Sequence, residues 1–250
     1  MQFKTRYARH SLTHIPEPGW EGALASSNGH PAELTKSRVV EKNASLPIGG
    51  APKRVFDLMS ALTGILLLLP LLCLVALIVK AASRGPVFYR HQRVGHNNAK
   101  FYCLKFRTMI VDGDEVLQHH LATDPEAARE WEATRKLKND PRVTTLGHIL
   151  RKSSVDELPQ LLNILRGEMS FVGPRPIVTA EARKYGASIE HYKRARPGLT
   201  GAWQVSGRND VDYDTRVAFD RHYVETWSFW RDLSIIVRTF RVLVTSKGCY

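Results

Sequence analysis

The stretch LMSALTGILLLLPLLCLVALIV, Leu58 to Val79, runs for 22 residues without a charged side chain. At about 1.5 Å per residue a helix of that length reaches roughly 33 Å, close to the thickness of a bilayer's hydrocarbon core. It is expected to be a membrane segment. It begins too far from Met1 to be a signal peptide, and no small-residue cleavage site follows it. Pro70 stands in its middle, where a proline removes a backbone hydrogen bond and kinks a helix. Lys53 and Arg54 flank one end, and Lys80, Arg84, Arg90 and Arg93 flank the other. Basic flanks favour the cytoplasmic side, so both ends are drawn to the same face of the membrane. A re-entrant helix broken at Pro70 satisfies both flanks. A straight span leaves one basic end outside, yet proline-kinked helices do cross membranes, so the physics leaves both geometries open.

Upstream, residues 1–50 carry scattered Pro, Gly, Ser and Asn, show no sustained periodicity and end in the linker-like LPIGGAP. A disordered or loosely docked arm is expected there, followed by a membrane helix over 51–82 and a catalytic domain over 83–250. Downstream, GPVFYR and KFYCLKFRTM suit two strands of a small hairpin turning at GHNNAK. A solvent-facing helix is expected from Asp114 to about Lys136, and a short one near Leu146 to Arg151. Two more are expected around Ala180 to Tyr185 and Tyr213 to Thr226. Leu233 to Val244 mixes apolar residues with Arg238 and Arg241, as an amphipathic helix on a membrane surface does. Trp227, Phe229 and Trp230 before it suit either an interfacial anchor or a buried aromatic cluster. The fold class that follows is α+β, mostly helical, with one small hairpin.

Chemistry concentrates in RKSSVDELPQLLNILRGEMSFVGPRP, Arg151 to Pro176. Ser153, Ser154 or Asp156 can cap a helix there, Pro159 suits its first turn, Leu161, Leu162 and Leu165 recur at helical spacing, and Gly167 closes it. The adjacent acids Asp156 and Glu157 then lie near the positive end, where unpaired amides and the helix dipole favour an anion. Neighbouring helical residues point about 100° apart, so the two acids cannot easily share one job. One could attack phosphorus while the other holds a metal. A capping box, Ser154 with Glu157 three residues on, explains the pair without chemistry. Of the basic residues Lys105, Arg107, Arg151, Arg175, Arg196 and Arg208, the last three stand beside Gly or Pro in turn-like contexts. Turns are where cations converge on a ligand, and arginine suits bidentate phosphate contacts, although any single one of these suits a solvated surface equally well.

With KRVFD before the apolar run, GPVFYRHQRVG, KFRTM, DPRVTTLGHILRKSSVDELPQLLNILRGEMSFVGPRP, RPGLTGAWQVSGR and YVETWSFWRDLSIIVRT in order, the chain resembles the bacterial polyprenyl-phosphate phosphoglycosyl transferases. These are small monotopic enzymes that begin glycan assembly. The resemblance spans Lys53 to Thr245 and is closest to enzymes that start exopolysaccharides with galactose or glucose phosphate. It implies that Asp156 takes a sugar phosphate from a UDP-sugar with release of UMP, and that Glu157 is its partner at a magnesium ion. Lys105, Arg151, Arg175, Arg196 and Arg208 match the family's basic motif positions. The acceptor implied is polyprenyl (undecaprenyl) phosphate at the inner membrane, with the catalytic domain on the cytoplasmic face. The same resemblance favours the re-entrant helix, although Leu69 stands where the family often places Ser before the breaking proline. Larger members of the family carry extra transmembrane helices before this unit, and the resemblance here is to the minimal form, in which none is expected. No nucleic-acid partner is expected, and a homodimer is admitted.

Composition bounds the alternatives. The net charge is +12, of which the first fifty residues supply +2 and the rest +10. A basic surface alone serves nucleic acid, anionic lipid or a phosphorylated substrate equally well. Cys73, Cys103 and Cys249 show no paired or metal-binding spacing, in keeping with a reducing compartment. Asp112-Gly-Asp114 has the form of a glycosyltransferase DxD motif but also of an ordinary turn. Asp210 to Asp214 alternates as a calcium loop does, yet Arg221 stands where the bidentate Glu belongs. No phosphate-binding or dinucleotide-binding glycine motif occurs. A non-enzymatic membrane-tethered binder and a DxD glycosyltransferase remain as competing readings, separated from phosphosugar transfer by product identity.

Overall fold

Every third or fourth residue of the first helix faces the rest of the chain, and that stripe organises the fold. In the computed structural model, which describes residues 46–134, 137–206 and 212–245, helix α1 runs Gly50–Ala82, 33 residues. Lys53, Asp57, Ala61, Ile65, Leu68, Leu72, Val75 and Val79 form its inward stripe, buried or half-buried throughout. The outward side presents Met59, Leu62, Leu66, Leu69, Leu74 and Leu77. This is the side-chain separation of an amphipathic helix with hydrocarbon in place of water.

Pro70 does not break α1. The helix continues through it, so the interruption expected there is corrected to an internal proline. The ring removes one backbone bond, while the turns on either side are held by Leu68 against one core cluster and Leu72 against another. Both ends of α1 meet the same domain. Near the start, Asp57 accepts bonds from Ser170 Oγ and the Phe171 amide, each at 3.0 Å. Near the end, Val75 and Val79 pack with Phe106 and Leu150. A helix hanging into a bilayer from one end would touch its domain at that end only.

The expected hairpin is present. Strands β1 (Phe88–Val94) and β2 (Lys100–Phe106) pair antiparallel in the register Phe88↔Phe106 to Val94↔Lys100. Asn97 and Asn98 adopt positive φ at the turn, a conformation asparagine tolerates better than most residues. A second, parallel pair joins β3 (Ser170–Val172) to β4 (Gly198–Thr200). Beyond its end the two backbones cross so closely that a Cβ on Gly198 would lie 2.2 Å from the Gly173 amide nitrogen.

The helix expected over Asp114 to Lys136 is two helices, α2 (Gly113–Thr123) and α3 (Pro125–Thr134). Pro125 disfavours helical backbone at Asp124, which turns extended and caps α3 by accepting from the amides of Glu126 and Ala127. Helix α4 (Thr145–Lys152) is capped by Thr144 Oγ1, which accepts from the Gly147 amide at 2.9 Å. The single helix expected from Ser153 to Gly167 is a 3-10 turn, Val155–Glu157, followed by α5 (Gln160–Arg166). Then come α6 (Thr179–Ala182), a 3-10 turn Arg183–Ser188, α7 (Ile189–Lys193), α8 (Tyr213–Glu225) and α9 (Phe229–Thr245). The fold is α+β and mostly helical.

Helix α9 closes onto the start of α1 through a buried charge. Asp232 accepts from Lys53 Nζ at 2.5 Å, Tyr223 Oη at 2.7 Å and Trp227 Nε1 at 3.1 Å. Trp227 thus belongs to the interior, whereas Trp230, Leu233, Val237 and Phe240 form an exposed apolar row. Phe229 stacks edge-on against Phe56 of α1 with ring centroids 5.3 Å apart, which places the two exposed apolar faces side by side.

Candidate active site

Ser154 sits at φ 56, a left-handed residue that ends α4 and starts the 3-10 turn. This conformation excludes the capping box, because the Ser154 side chain caps nothing and the Glu157 amide bonds instead to the Ser154 carbonyl. Glu157 is released to pair with Lys105 Nζ of β2. Asp156 points inward, 6% exposed. Burial pushes its carboxyl up, Lys105 opposes, Glu157 adds repulsion and Arg151 pulls back, which leaves its pKa raised to about 6. For Glu157 burial also acts upward, but Lys105, Arg175 and Arg93 together outweigh it and lower the value. The two adjacent acids are therefore driven apart in acidity, the pattern by which a site divides labour between carboxylates.

The strand that carries Lys105 is fixed to the acids by one amide. Asn163 of α5, fully buried, accepts from the Leu104 amide at 3.0 Å and donates to the Tyr102 carbonyl at 2.8 Å and to Glu168 at 2.6 Å. Arg151, near the end of α4, donates from Nε to Thr108 Oγ1 at 2.9 Å and acts electrostatically on Asp156. Arg175 in the GPRP loop lies over the Trp203 ring at 5.5 Å, and the Arg216 guanidinium lies 4.8 Å from the same ring centroid. The buried Asp220 carboxylate accepts from Tyr185 Oη at 2.8 Å and interacts electrostatically with Arg175.

Lys105, Arg151 and Arg175 thus converge on the acid pair. Arg196 is placed at the opposite end of α5, donating from Nε to the Gly167 carbonyl at 2.9 Å, beside Arg54, which donates to the Ile164 and Leu165 carbonyls. There both arginines cap the negative end of the helix. Arg107 donates to Ser83, just past α1. Arg208 lies outside the described residues, as does Cys249. Asp112 precedes α2 and Asp114 is in its first turn, a helix start of ordinary kind.

Arg93, expected from sequence only as a basic flank of the membrane helix, and His91 also join the site. They lie on β1 two residues apart, on the face that holds Lys105 across the hairpin, since Tyr89 pairs with Lys105. Arg93 donates to the Pro176 carbonyl at 3.1 Å and pairs with Glu181 at 3.7 Å. His91 sits 3.1 Å from Arg93, its pKa lowered by burial and by Arg93 and Lys105, so its ring is neutral near pH 7. Two-residue alternation about Lys105's cross-strand partner is the signal that would have found them. Cys103 is buried on β2 with its thiol pushed up to about 11, an unreactive packing residue.

An acid pair ringed by fixed cations, on a domain with an apolar helix along its flank, suits transfer of a phosphorylated group. The sequence pattern described as bacterial sugar transferase matches residues 49–246. The chain belongs to that family. Exopolysaccharide production protein ExoY of Rhizobium meliloti is 55% identical over 210 residues, 84% of this chain and 93% of its own. A protein of Caulobacter vibrioides named UDP-glucose:undecaprenyl-phosphate glucose-1-phosphate transferase is 41% identical over 241 residues, 91% of this chain and 85% of its own. One of Salmonella typhimurium, named undecaprenyl-phosphate galactose phosphotransferase, is 49% identical over 198 residues, 79% of this chain but 41% of its own. This bacterial sugar transferase is an enzyme, and its acid pair lies within the matched residues.

Proposed function

We propose that the enzyme transfers a hexose-1-phosphate from a UDP-sugar to undecaprenyl phosphate, the first membrane step of exopolysaccharide or related glycan synthesis. The observation that carries this reading is the buried Asp156 beside a Glu157 held by Lys105, with Arg151, Arg175 and Arg93 around them. Asp156 attacks the phosphorus that bears the sugar. The bond from that phosphorus to the UMP oxygen breaks, UMP leaves with the electron pair, and a phosphosugar remains on the carboxylate. A phosphate oxygen of the lipid then attacks the same phosphorus. The carboxylate leaves with its electrons, so the product is polyprenyl-diphosphate-sugar and Asp156 is regenerated.

The arginines and lysine neutralise charge that would otherwise repel an anionic nucleophile from a diphosphate, and they are in place before the reaction begins. Magnesium fits the donor set. Among the described residues no group of three or more metal-binding side chains occurs, and magnesium commonly uses one or two carboxylates together with substrate phosphates. Glu157 would hold it, and when bound the ion would supply further charge neutralisation on the diphosphate.

Both ends of α1 on one domain, its outward leucine face and the adjacent exposed row on α9 support a shallow seat for the unbroken α1 in the inner membrane, with both its ends and the catalytic unit on the cytoplasmic side. Such a seat holds Asp156 at headgroup height, where the acceptor's phosphate lies. The test is nucleotide release in nanodiscs with magnesium, polyprenyl phosphate and UDP-galactose or UDP-glucose. UMP release that Asp156→Asn abolishes, with a phosphohexose adduct on Asp156 by mass spectrometry, is expected. UDP as product, or no nucleotide with any sugar, overturns the proposal.

A further inference from the structure

We propose that the cleft between the last turn of α1 and the first turn of α4 binds the phosphate of a lipid-linked phosphate monoester, with Arg107 as its fixed cation. The inference rests on the reading above and places its acceptor. The cleft encloses about 250 Å3, below the roughly 300–1,000 Å3 typical of sites for whole small molecules. A headgroup suits that volume better than a nucleotide sugar does. Its apolar walls are Val79, Ala82, Met109 and Leu146.

Three features supply the chemistry. Arg107 lines the cleft at 9% exposure, with Nη2 bonded to Ser83 and Nη1 packed against Gly85 without any acceptor. Among the described residues no carboxylate pairs with it, and a buried guanidinium without a counter-ion is costly until an anion arrives. The first turn of the eight-residue α4 forms another wall and contains no acidic residue. Thr144 spends its side chain on the Gly147 amide, which leaves the amides of Thr145 and Leu146 as the free donors of a helix N-terminus. Finally, the outward face of α1, with Leu74, Leu77 and Ile78 exposed, ends at this cleft and gives a lipid tail a continuous apolar path.

The cleft also connects to the acid pair. Thr108, the neighbour of Arg107, accepts from Arg151 Nε on its hydroxyl at 2.9 Å and from the Thr144 amide on its carbonyl at 3.1 Å. One residue therefore stands between Arg107 in the cleft and Arg151 beside Asp156. A phosphate moving from the first cation to the second approaches Asp156 from the membrane side.

Thr145→Glu tests this without disturbing the interior. Thr145 is exposed, and a carboxylate in a helix's first turn favours the helix while it repels a phosphate. In nanodiscs, the burst of UMP and phosphosugar adduct formed without polyprenyl phosphate is expected to stay unchanged, while the KM for short-chain polyprenyl phosphate rises about ten-fold or more. Thr145→Lys is expected to lower that KM, and Arg107→Met to raise it. An unmoved lipid KM in Thr145→Glu, or a burst that falls as much as the turnover, overturns the assignment. Inorganic phosphate and phosphatidylglycerol vesicles serve as competitors. Displacement of the polyprenyl phosphate by either at equal concentration overturns a lipid monoester as the occupant. If the unsubstituted enzyme releases no UMP, the reaction reading has failed instead. Direct binding of short-chain polyprenyl phosphate, weakened by Thr145→Glu, then still supports the cleft, and binding that Thr145→Glu leaves unchanged overturns it.

Discussion

Lys105, near the end of the second hairpin strand, closes onto Glu157, the residue beside the buried Asp156. The pair sets the acidity of both carboxyls, because the same ammonium lowers Glu157 and restrains the rise of Asp156. Lys105→Ala is expected to cut UMP release by about 10²-fold or more, as removal of a fixed charge-stabilising donor typically does. Lys105→Arg should recover part of it. Activity within a few-fold of the unsubstituted enzyme would show that the pair is merely structural.

Asp156 must be ionised to attack. With its carboxyl raised to about 6, the adduct-forming step should lose rate as pH falls through about 6, instead of near the ordinary value of 3.8. Rapid-quench measurement of adduct formation between pH 5 and pH 8 tests this.

The same shift has an opposite consequence for stability. The folded value lies above the unfolded one, so folding holds the proton more tightly and stability is lost as pH rises from about 4 to about 6. Above that window the buried charge costs up to about 3 kcal/mol, taking about two pKa units at 1.36 kcal/mol each. Asp156→Asn should therefore abolish activity and melt higher than the unsubstituted protein at pH 8. Equal or lower melting would refute the burial cost.

Asn163 stitches α5 to β2 with bonds to both Leu104 and Tyr102. Asn163→Leu leaves buried backbone groups unpaired and should destabilise by about 2–4 kcal/mol. Lys105 would also lose its fixed position. Thermal unfolding together with UMP release checks both effects.

Lys53 and Asp232 join the start of α1 to α9 in a buried pair. Lys53→Met alone strands the Asp232 charge and should cost about 3–5 kcal/mol, whereas Lys53→Met with Asp232→Leu should recover most of it. A double variant as unstable as the single would show that Tyr223 and Trp227 depend on the carboxylate more than on its partner.

The apolar helix, the hairpin, the acid pair and its arginines were all legible along the chain, because each is a local pattern: an uncharged run, alternation about a turn, adjacent carboxylates with glycine and proline beside cations. The family resemblance was legible for the same reason. What the sequence could not decide was which cations share a space. Arg151 and Arg196 are both phosphate-binding candidates by sequence, yet α5 separates them, one toward the acids and the other at the Gly167 carbonyl. Arg93 reaches the site only through strand register and the bridge from Val94 to Ile177. Ser154 and Glu157 have capping-box spacing, but a left-handed Ser154 turns the glutamate to Lys105 instead. Pro70 carries a breaking signal, but packing on both sides of it keeps α1 helical. Local propensities are worth tenths of a kcal/mol to a few kcal/mol. Long-range burial and charge pairing reach the same size, and only the folded arrangement determines which of them prevails.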